Sequence, residues 1–355
     1  MVLLVTSLPM IRNATGNLLQ ADVEALVNTV NCDGFMGKGI ALQFKQAWPE
    51  NFDAYAKACR AKEVRPGQMY IWETGRMVNP RYIINFPTKR HWREKALIED
   101  IRSGLRALVA DVQRLGIGSI AMPPLGCGNG GLDWRDVRPL IESAFAELPN
   151  MQVQLFSPLG APEAKTMPVN TRRPAMTISR ALFVKVMHQY EALNYRLTLL
   201  EIQKLMYFLQ EAGEPLKLRF QAGLYGPYAA NLNKVLERIE GHLIRGYGDS
   251  QKPDTEIELL PDAVEEADLY LSQHPLPIAR VNRVSNLIQG FETPYGMELL
   301  SSVHWVCTHN KPKATTPETA IESVHRWNER KLKMFRPEHI RVAYQRLREL
   351  SWLAK

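Results

Sequence analysis

Residues 31–43 read NCDGFMGKGIALQ, and glycines stand on both sides of Lys38. The stretch follows a short β-rich run at 25–29 and precedes a run with the pattern of a helix from Ile40. Glycine lets the main chain come close to a ligand, and the amino end of a helix favours an anion. The stretch therefore predicts a strand, an anion-binding loop and a helix, which is a unit of a layered α/β fold.

The same alternation continues to residue 158. Short β-rich runs lie at 25–29, 68–72, 82–86, 119–122 and 152–156, and amphipathic stretches lie between them at 40–47, 51–61, 96–115 and 134–148. Alternating runs of this kind favour a mixed sheet flanked by helices, in three layers. We therefore predict an α/β domain over residues 1–158.

The remainder of the chain has a different pattern. Residues 159–176 are rich in proline and lack apolar periodicity, which is typical of a linker. Thr198 and Glu201 have the spacing of a capping box, and Pro317 follows a threonine suited to begin a helix. The sequence thus predicts a second, mainly α domain over residues 177–355.

Composition narrows the possible partners. The 355 residues carry a net charge of +7, which is compatible with a polyanionic partner such as nucleic acid.

The four cysteines form no CxxC pair and the eight histidines lack ligand spacing, so we predict no metal and no other cofactor. No apolar run is long enough to span a membrane, and the amino-terminal segment lacks a signal peptide's basic region. We therefore expect a cytoplasmic protein.

A second glycine-rich loop lies at 125–131, with the sequence LGCGNGG. It follows the β-rich run at 119–122 and precedes a helical pattern from Trp134. Ligands of open α/β sheets bind beyond the carboxyl ends of the strands, and two such loops can hold a diphosphate between them. Each loop alone also fits an ordinary tight turn, and neither matches a P-loop or GxGxxG.

Taken together, ATGNLLQADVEALVNTVNCDGFMGKGIALQF, NFPTKRHW and MPPLGCGNGGLDW resemble a macrodomain, the fold that binds ADP-ribose. The lysine within MGKGIA resembles that of one macrodomain subgroup, which includes the terminal ADP-ribose hydrolases and the DarG-type antitoxins. A DarG-type antitoxin opposes the DNA ADP-ribosyltransferase DarT. The resemblance covers residues 1–158. It implies a glycohydrolase of a toxin–antitoxin system that binds ADP-ribosylated DNA, releases ADP-ribose and so repairs the DNA. Thymidine in single-stranded DNA is the expected acceptor.

The resemblance also implies an ADP-ribose site. Asn17 and Leu18 match the adenosine end, Phe156 matches an aromatic residue over adenine, and Asn31 matches the asparagine that addresses the distal ribose. An ordinary core position is an equal alternative for Phe156. The implied contact residues of the two loops are Gly34, Phe35, Met36, Gly37, Gly39, Ile40, Leu125, Gly126, Cys127, Gly128, Asn129 and Gly130.

Lys38 is the catalytic residue that the resemblance implies. Its flanking glycines allow the amine to point into the distal-ribose pocket, where partial burial would lower its pKa towards that of a nucleophile. The amine could attack the anomeric carbon, form a Schiff base with the ring-opened sugar, or protonate the leaving base. The alternative is a cation that only neutralises the diphosphate.

One position departs from the terminal ADP-ribose hydrolases. Their lysine acts with an aspartate that corresponds to Gly130, and the nearest acid in this chain is Asp133. Asp133 and Asn31 are possible assisting groups, and Asp133 is also a candidate helix cap. The departure favours ADP-ribosylated DNA as the substrate. A non-catalytic ADP-ribose-binding module and a protein-directed hydrolase stay open as alternatives.

Two further segments suggest macromolecular contacts. Lys89, His91 and Trp92 follow the third β-rich run and are candidates for DNA contact through phosphates and stacking, although a solvated loop is the alternative. After the linker, KLMYFLQ and LYGPY resemble the Panacea or SocA-like antitoxin domain. This second resemblance implies that residues 177–355 bind and neutralise a DarT-like toxin.

Overall fold

The computed structural model describes residues 10–148, 150–158, 167–191, 197–248, 252–274 and 278–353. The chain divides into two compact units, Met1–Arg172 and Arg173–Lys355. Of the predicted linker, residues 159–166 lie outside the described residues, and residues 167–172 group with the first unit.

The first unit contains a six-stranded mixed sheet, as the alternation predicted. Its strands are β1 (Met10–Ala14), β2 (Ala25–Val30), β3 (Tyr70–Glu73), β4 (Tyr82–Pro87), β5 (Ser119–Met122) and β6 (Gln152–Phe156), in the spatial order β1-β6-β5-β2-β4-β3. The helices are α1 (Gly39–Ala47), α2 (Pro49–Arg60), α3 (Ile98–Leu115) and α4 (Trp134–Phe145). β3 is antiparallel to β4, whereas the other neighbouring strands are parallel.

Helices cover both faces of this sheet. On one face, apolar side chains of α3 and α4 such as Leu105 and Ile141 pack against Val27 of β2. On the other face, Phe44 of α1 packs beside Leu26 of β2. Alternate residues of one strand thus enter different layers of core, so the register of the sheet is strongly specified.

The carboxyl ends of β1, β2, β4, β5 and β6 lie at one edge because these strands are parallel. The loops that leave this edge carry Asn17, Lys38, Trp92 and Asn129. The fold therefore collects loops that are far apart in sequence at the edge where ligands of α/β sheets bind.

The second unit is mainly helical, as predicted. Its helices are α5 (Ile178–Glu191), α6 (Leu199–Glu211), α7 (Leu232–Ile239), α8 (Pro261–Ser272), α9 (Ile278–Ile288), α10 (Pro294–Thr308), α11 (Pro317–Trp327), α12 (Glu329–Met334) and α13 (Pro337–Glu349). Two small antiparallel sheets join β7 (Phe220–Gly223) to β8 (Gly226–Ala229) and β9 (Ile244–Arg245) to β10 (Glu258–Leu259). Among the helices that are described, none combines the length and apolarity needed to cross a membrane.

Local caps begin several of these helices. The main-chain N–H of Thr198 donates to Glu201 Oε2 at 2.8 Å, and Thr198 Oγ1 accepts from the N–H of Glu201 at 3.5 Å. This reciprocal pair is the capping box that the spacing predicted at the start of α6. Thr316 caps α11 in the same manner, with Pro317 at the first helical position.

A buried ionic cluster lies in the core of the second unit. Glu298 of α10 accepts hydrogen bonds from Lys331 Nζ at 2.8 Å and from Arg330 Nη1 at 2.5 Å. Lys331 Nζ also donates to Ser302 Oγ at 2.9 Å. Nearby, Lys204 is buried and donates to the carbonyl of Pro227 in β8 at 2.7 Å.

Candidate functional site

The loop between β2 and α1 is folded around the side chain of Asn31. Its Oδ1 accepts from the N–H groups of Asp33 at 2.9 Å and Phe35 at 3.3 Å, and its Nδ2 donates to the Phe35 carbonyl at 2.6 Å. The hydroxyl of Tyr55 on α2 donates to the main-chain carbonyl of Asn31 at 2.5 Å. Asn31 therefore orders the loop, and its predicted contact with the distal ribose stays a prediction.

Apolar contacts anchor the same loop to α2. Met36 is buried, and it belongs to a cluster with Val30 and Tyr55. Gly34 has a φ of +83°, and a Cβ atom at that position would lie 3.3 Å from Cys59 Cβ. Glycine at position 34 thus allows both the left-handed turn and the close approach to α2.

Lys38 is the residue immediately before α1, at the amino end of the helix. Its main chain is extended, with φ −152° and ψ 156°, and its carbonyl accepts from the N–H of Leu42 at 3.3 Å. The side chain is exposed. Lys38 is therefore not buried in this structure, and its predicted catalytic role stays a prediction.

The partly buried amine at this edge belongs to Lys89, which follows β4. Its Nζ donates to the main-chain carbonyl of Asn129 in the second glycine-rich loop. Burial lowers the pKa of Lys89, and the charge of Lys38 lowers it further. Lys89 thus ties the end of β4 to the second loop and lies near Lys38. Its predicted contact with DNA stays a prediction.

The second glycine-rich loop closes on itself. The N–H of Leu132 donates to the carbonyl of Gly126 at 3.1 Å, and the N–H of Ala96 donates to the carbonyl of Gly130 at 3.0 Å. A Cβ atom at Gly130 would overlap the carbonyl oxygen of Gly126. Any side chain at position 130, including that of an aspartate, would therefore require the main chain of the loop to move.

The two glycine-rich loops lie side by side, because β2 and β5 are neighbours in the sheet. A Cβ atom at Gly39 would lie 3.5 Å from Asn129 Nδ2. Main-chain N–H groups of two loops and the amino end of α1 thus come to one place, which is an arrangement suited to a diphosphate.

Asp133 caps α4. One carboxylate oxygen accepts from the N–H of Arg135 at 2.9 Å, and the other accepts from Arg135 Nη2 at 2.6 Å. Hydrogen bonds from the side chain and main chain of Arg135 lower the pKa of Asp133 to about 2. Asp133 is therefore a carboxylate at neutral pH and a poor proton donor there. The contacts support the capping role that the sequence left open.

Cys127 lies between the glycines of the second loop, and its thiol donates to the Leu125 carbonyl at 3.4 Å. Burial, followed by the charge of Asp133, raises the pKa of the Cys127 thiol to about 11. A thiol that stays protonated at neutral pH is a weak nucleophile. Cys127 is thus a compact loop residue beside the proposed diphosphate position.

Residues after β4 reach the rim of the first loop. The N–H of Trp92 donates to Asp33 Oδ2 at 2.8 Å, and His91 Nε2 lies 3.9 Å from the same oxygen. Asp33 therefore holds this segment beside the loop that carries Lys38. His91 and Trp92 are both accessible at this rim.

Known proteins match this architecture. The Macro domain family model matches residues 27–141. The DNA ADP-ribosyl glycohydrolase of Thermus aquaticus is 45% identical over 338 residues, which cover 95% of this chain and 93% of the relative. The DNA ADP-ribosyl glycohydrolase of Mycobacterium tuberculosis is 42% identical over 355 residues, which cover 95% and 99% of the two chains. The chain belongs to the DNA ADP-ribosyl glycohydrolase family.

A further relative joins two activities in its name. The DNA ADP-ribosyl transferase-DNA ADP-ribosyl glycohydrolase fusion protein of Thermosipho africanus is 35% identical over 159 residues, which cover 41% of each chain. Membership of the DNA ADP-ribosyl glycohydrolase family confirms the DarG-type resemblance, and the first unit is a macrodomain.

The residues of this chain matched to the adenosine end lie where β1 and β6 finish. Asn17 Oδ1 accepts from the N–H of Leu19 at 3.0 Å and caps a short 3₁₀ helix. Leu18 and Phe156 are buried in one apolar cluster with Trp48. The burial of Phe156 fits the core position that the sequence left as an alternative to a ring over adenine.

Two residues beside this end were not anticipated from the sequence. Asn17 Nδ2 contacts the sulfur of Met167 at 3.6 Å. Asn170 donates from its N–H to the Gln46 carbonyl at 2.8 Å and from Nδ2 to the Ala47 carbonyl at 2.7 Å. The chain after β6 thus returns to the adenosine end, and no local pattern in a proline-rich segment indicates such a contact.

Buried asparagines support the strands beneath the first loop. Asn28 Nδ2 donates to Asn85 Oδ1 at 3.0 Å, which joins β2 to β4, and Asn85 Nδ2 donates to Asn51 Oδ1 at 2.8 Å. Asn28 thus braces the end of β2. Within the described ranges, no cluster of three or more His, Cys, Asp or Glu side chains is placed to hold a metal ion.

Proposed function

We propose that this chain hydrolyses the N-glycosidic bond between ADP-ribose and a DNA base, and so reverses DNA ADP-ribosylation. The observation that carries the proposal is the position of Lys38, at the amino end of α1 beside two adjacent glycine-rich loops. The names of the full-length relatives support the same activity.

In this proposal the main chain of the two loops binds the diphosphate. Residues 34–40 supply one set of N–H groups, and residues 125–130 supply the other. Asn17 and Leu18 receive the adenosine end, while Asn31 addresses the distal ribose. This arrangement directs the anomeric carbon of the distal ribose towards Lys38.

Hydrolysis breaks the bond between the anomeric carbon and a nitrogen of the base. Water supplies the oxygen that ends on the carbon, and the base nitrogen ends with a proton. The transition state has oxocarbenium character. Three roles stay open for Lys38: direct attack on the carbon, a Schiff base with the ring-opened sugar, and protonation of the leaving base.

Position 130 favours DNA over protein-linked esters as the substrate. The loop lacks room for the aspartate that accompanies the lysine in the resembling protein-directed hydrolases. Asp133 caps α4 and is a poor proton donor at neutral pH. We therefore propose a site whose chemistry rests on the amine of Lys38 without a carboxylic acid partner.

The substrate class is tested by incubating the full chain with ADP-ribosylated single-stranded oligonucleotide and, separately, with ADP-ribosylated protein. We expect release of free ADP-ribose from the oligonucleotide and much slower release from the protein. Binding of ADP-ribose without release from either substrate would instead establish a non-catalytic ADP-ribose-binding module. Preferential release from protein would establish a protein-directed hydrolase.

We further propose that residues 177–355 bind and neutralise a DarT-like ADP-ribosyltransferase. The name of the Thermosipho africanus fusion protein links the two activities in one relative. In the described part of this region, the β7–β8 hairpin exposes Leu224 and Tyr228. The resemblance of this region to the Panacea or SocA-like domain stays a prediction.

The toxin proposal is tested with the full chain in which Lys38 is replaced by alanine. Because neutralisation through protein contact needs no hydrolysis, Lys38→Ala should still bind a purified DarT-like toxin and inhibit DNA modification. Loss of inhibition together with hydrolysis, while the fold is retained, would refute neutralisation by protein contact.

A further inference from the structure

Phe35 and Trp92 form an exposed aromatic pair at the rim of the site. Phe35 is 59% exposed and Trp92 is 40% exposed. Their ring centroids are 6.1 Å apart, with an interplanar angle of 64°. Phe35 lies three residues before Lys38, the residue that we propose to be catalytic, in the same loop.

Hydrogen bonds hold the backbones of both residues in place. The side chain of Asn31 binds the N–H and the carbonyl of Phe35. The carboxylate of Asp33 accepts from the N–H of Trp92 at 2.8 Å. Asn31 and Asp33, two residues of one loop, therefore position the two aromatic residues, which reduces the entropy lost when a ligand binds between or upon them.

The exposure of Phe35 does not follow from a need to fill the core. The neighbouring Met36 is buried and anchors the loop, whereas Phe35 is exposed and does not belong to that apolar cluster. Contact with Trp92 covers only part of each ring. Adjacent exposed aromatic side chains of this kind are typical of surfaces on which a ligand stacks.

A cation lies beside the pair, as does the Asp33 carboxylate that binds the Trp92 N–H. The guanidinium of Arg93 lies 4.6 Å from the ring centroid of Trp92, and the imidazole of His91 lies 5.9 Å from it. Lys38 follows Phe35 in the same loop, and Lys89 precedes Trp92 in the segment after β4. Rings that accept bases, together with cations that accept phosphates, fit single-stranded nucleic acid better than an uncharged peptide.

We propose that Phe35, Trp92 and Arg93 form a stacking platform for an unpaired nucleotide next to the ADP-ribosylated base. The inference rests on the proposed function and specifies its substrate. It commits the site to single-stranded DNA, because bases in a duplex are already stacked and cannot lie on these rings. It also makes oligonucleotides better substrates than an ADP-ribosylated mononucleotide.

The first test compares the wild-type chain with Trp92→Ala on two substrates. These are an ADP-ribosylated single-stranded oligonucleotide and the corresponding ADP-ribosylated mononucleotide. Because loss of one stacked base weakens binding by about tenfold, the ratio of kcat/KM for the oligonucleotide to that for the mononucleotide should fall by about tenfold. Trp92→Phe should restore most of the ratio, since it keeps an aromatic face.

Met77→Ala is the matched control. Met77 is an exposed apolar residue in the β3–β4 connection, which leads into the amino end of β4 and thus lies away from the site edge. Its replacement should leave the ratio unchanged. An unchanged ratio in Trp92→Ala, or a ratio lowered equally by Met77→Ala, would overturn the platform.

A second measurement keeps the platform testable if the wild-type chain releases no ADP-ribose from DNA. Binding of an unmodified, fluorescently labelled single-stranded oligonucleotide should weaken by about tenfold in Trp92→Ala and not in Met77→Ala. Absence of turnover in the wild type would refute the proposed function, whereas equal binding by wild type and Trp92→Ala would refute the platform. An effect of Trp92→Ala on ADP-ribosylated protein equal to that on the oligonucleotide would assign the rings to a protein acceptor and overturn the commitment to DNA.

Discussion

Gly130 lies directly against the main-chain carbonyl of Gly126, leaving no room for a Cβ atom between them. The same carbonyl accepts from the N–H of Leu132 at 3.1 Å, and Gly130 itself accepts from the N–H of Ala96 at 3.0 Å. The contact between the two glycines thus allows the loop to fold back and to reach the segment after β4.

Gly130→Ala should destabilise the first unit, because a methyl group at position 130 forces the main chain to move. We expect a loss of roughly 1–3 kcal/mol in the free energy of unfolding, measured by denaturant titration. Gly128→Ala is the matched control, since a Cβ atom there meets nothing within 4 Å. Equal stability of the two variants would contradict the loop geometry.

Asn85→Ala should also destabilise the first unit. Asn85 accepts from Asn28 and donates to Asn51 and to the Tyr70 carbonyl, so its loss leaves several buried polar groups unsatisfied. The expected loss is roughly 2–4 kcal/mol. Gln68→Ala removes an exposed hydrogen bond with Arg65 and should cost less than about 1 kcal/mol. Thermal and chemical denaturation of both variants would check the difference.

Glu298→Gln should weaken the second unit severely. The replacement leaves Lys331, which is fully buried, and Arg330 without their shared carboxylate. Removing one partner of a buried ion pair costs roughly 3–5 kcal/mol. Glu322→Gln, which removes an exposed pair with Arg326 at 3.9 Å, should cost at most about 1 kcal/mol. A small effect for Glu298→Gln would show that the cluster is not a stabilising element.

Lys204 should make the stability of the second unit depend on pH. Burial, followed by the charge of Lys331, lowers the pKa of Lys204 from its ordinary value of 10.5 to about 7. Between pH 7 and 10.5 the unfolded chain therefore binds a proton that the folded chain does not, so stability rises with pH across this window.

The slope is measured as the free energy of unfolding at several values of pH within that window. The wild type should gain up to about 1.4 kcal/mol per pH unit relative to Lys204→Met. A parallel pH dependence in the two proteins, or a wild-type stability that falls relative to the variant, would contradict a buried amine with a lowered pKa.

Local patterns predicted the parts of the fold that depend on neighbouring residues. α1 begins at Gly39, one residue before the predicted start, and Thr198 and Glu201 form the expected capping box. Both features were predictable because a loop glycine or a helix cap affects the main chain only within a few residues of its own position. β1 was missed because it is an edge strand whose residues 10–14 are exposed or half-buried, so it has no apolar alternation.

Contacts between distant segments could not be predicted in the same manner. Partial burial was expected of Lys38, whereas a partly buried amine with a hydrogen-bond partner belongs to Lys89. That partner, Asn129, follows β5, and β4 and β5 both lie next to β2 in the sheet. The hydrogen bond from Trp92 to Asp33 likewise depends on the pairing of β2 with β4. Sequence spacing alone carries no such information.

Lys38 is the residue on which the proposed chemistry depends. Release of ADP-ribose from an ADP-ribosylated single-stranded oligonucleotide should be measured under single-turnover conditions for the wild type, Lys38→Ala and Lys38→Arg, with ADP-ribose affinity measured for each. Loss of the amine should slow release by at least about a hundredfold and leave most of the affinity for ADP-ribose. Lys38→Arg keeps the charge but lacks a titratable amine, so it should be similarly slow. Release at the wild-type rate by Lys38→Ala would contradict the account.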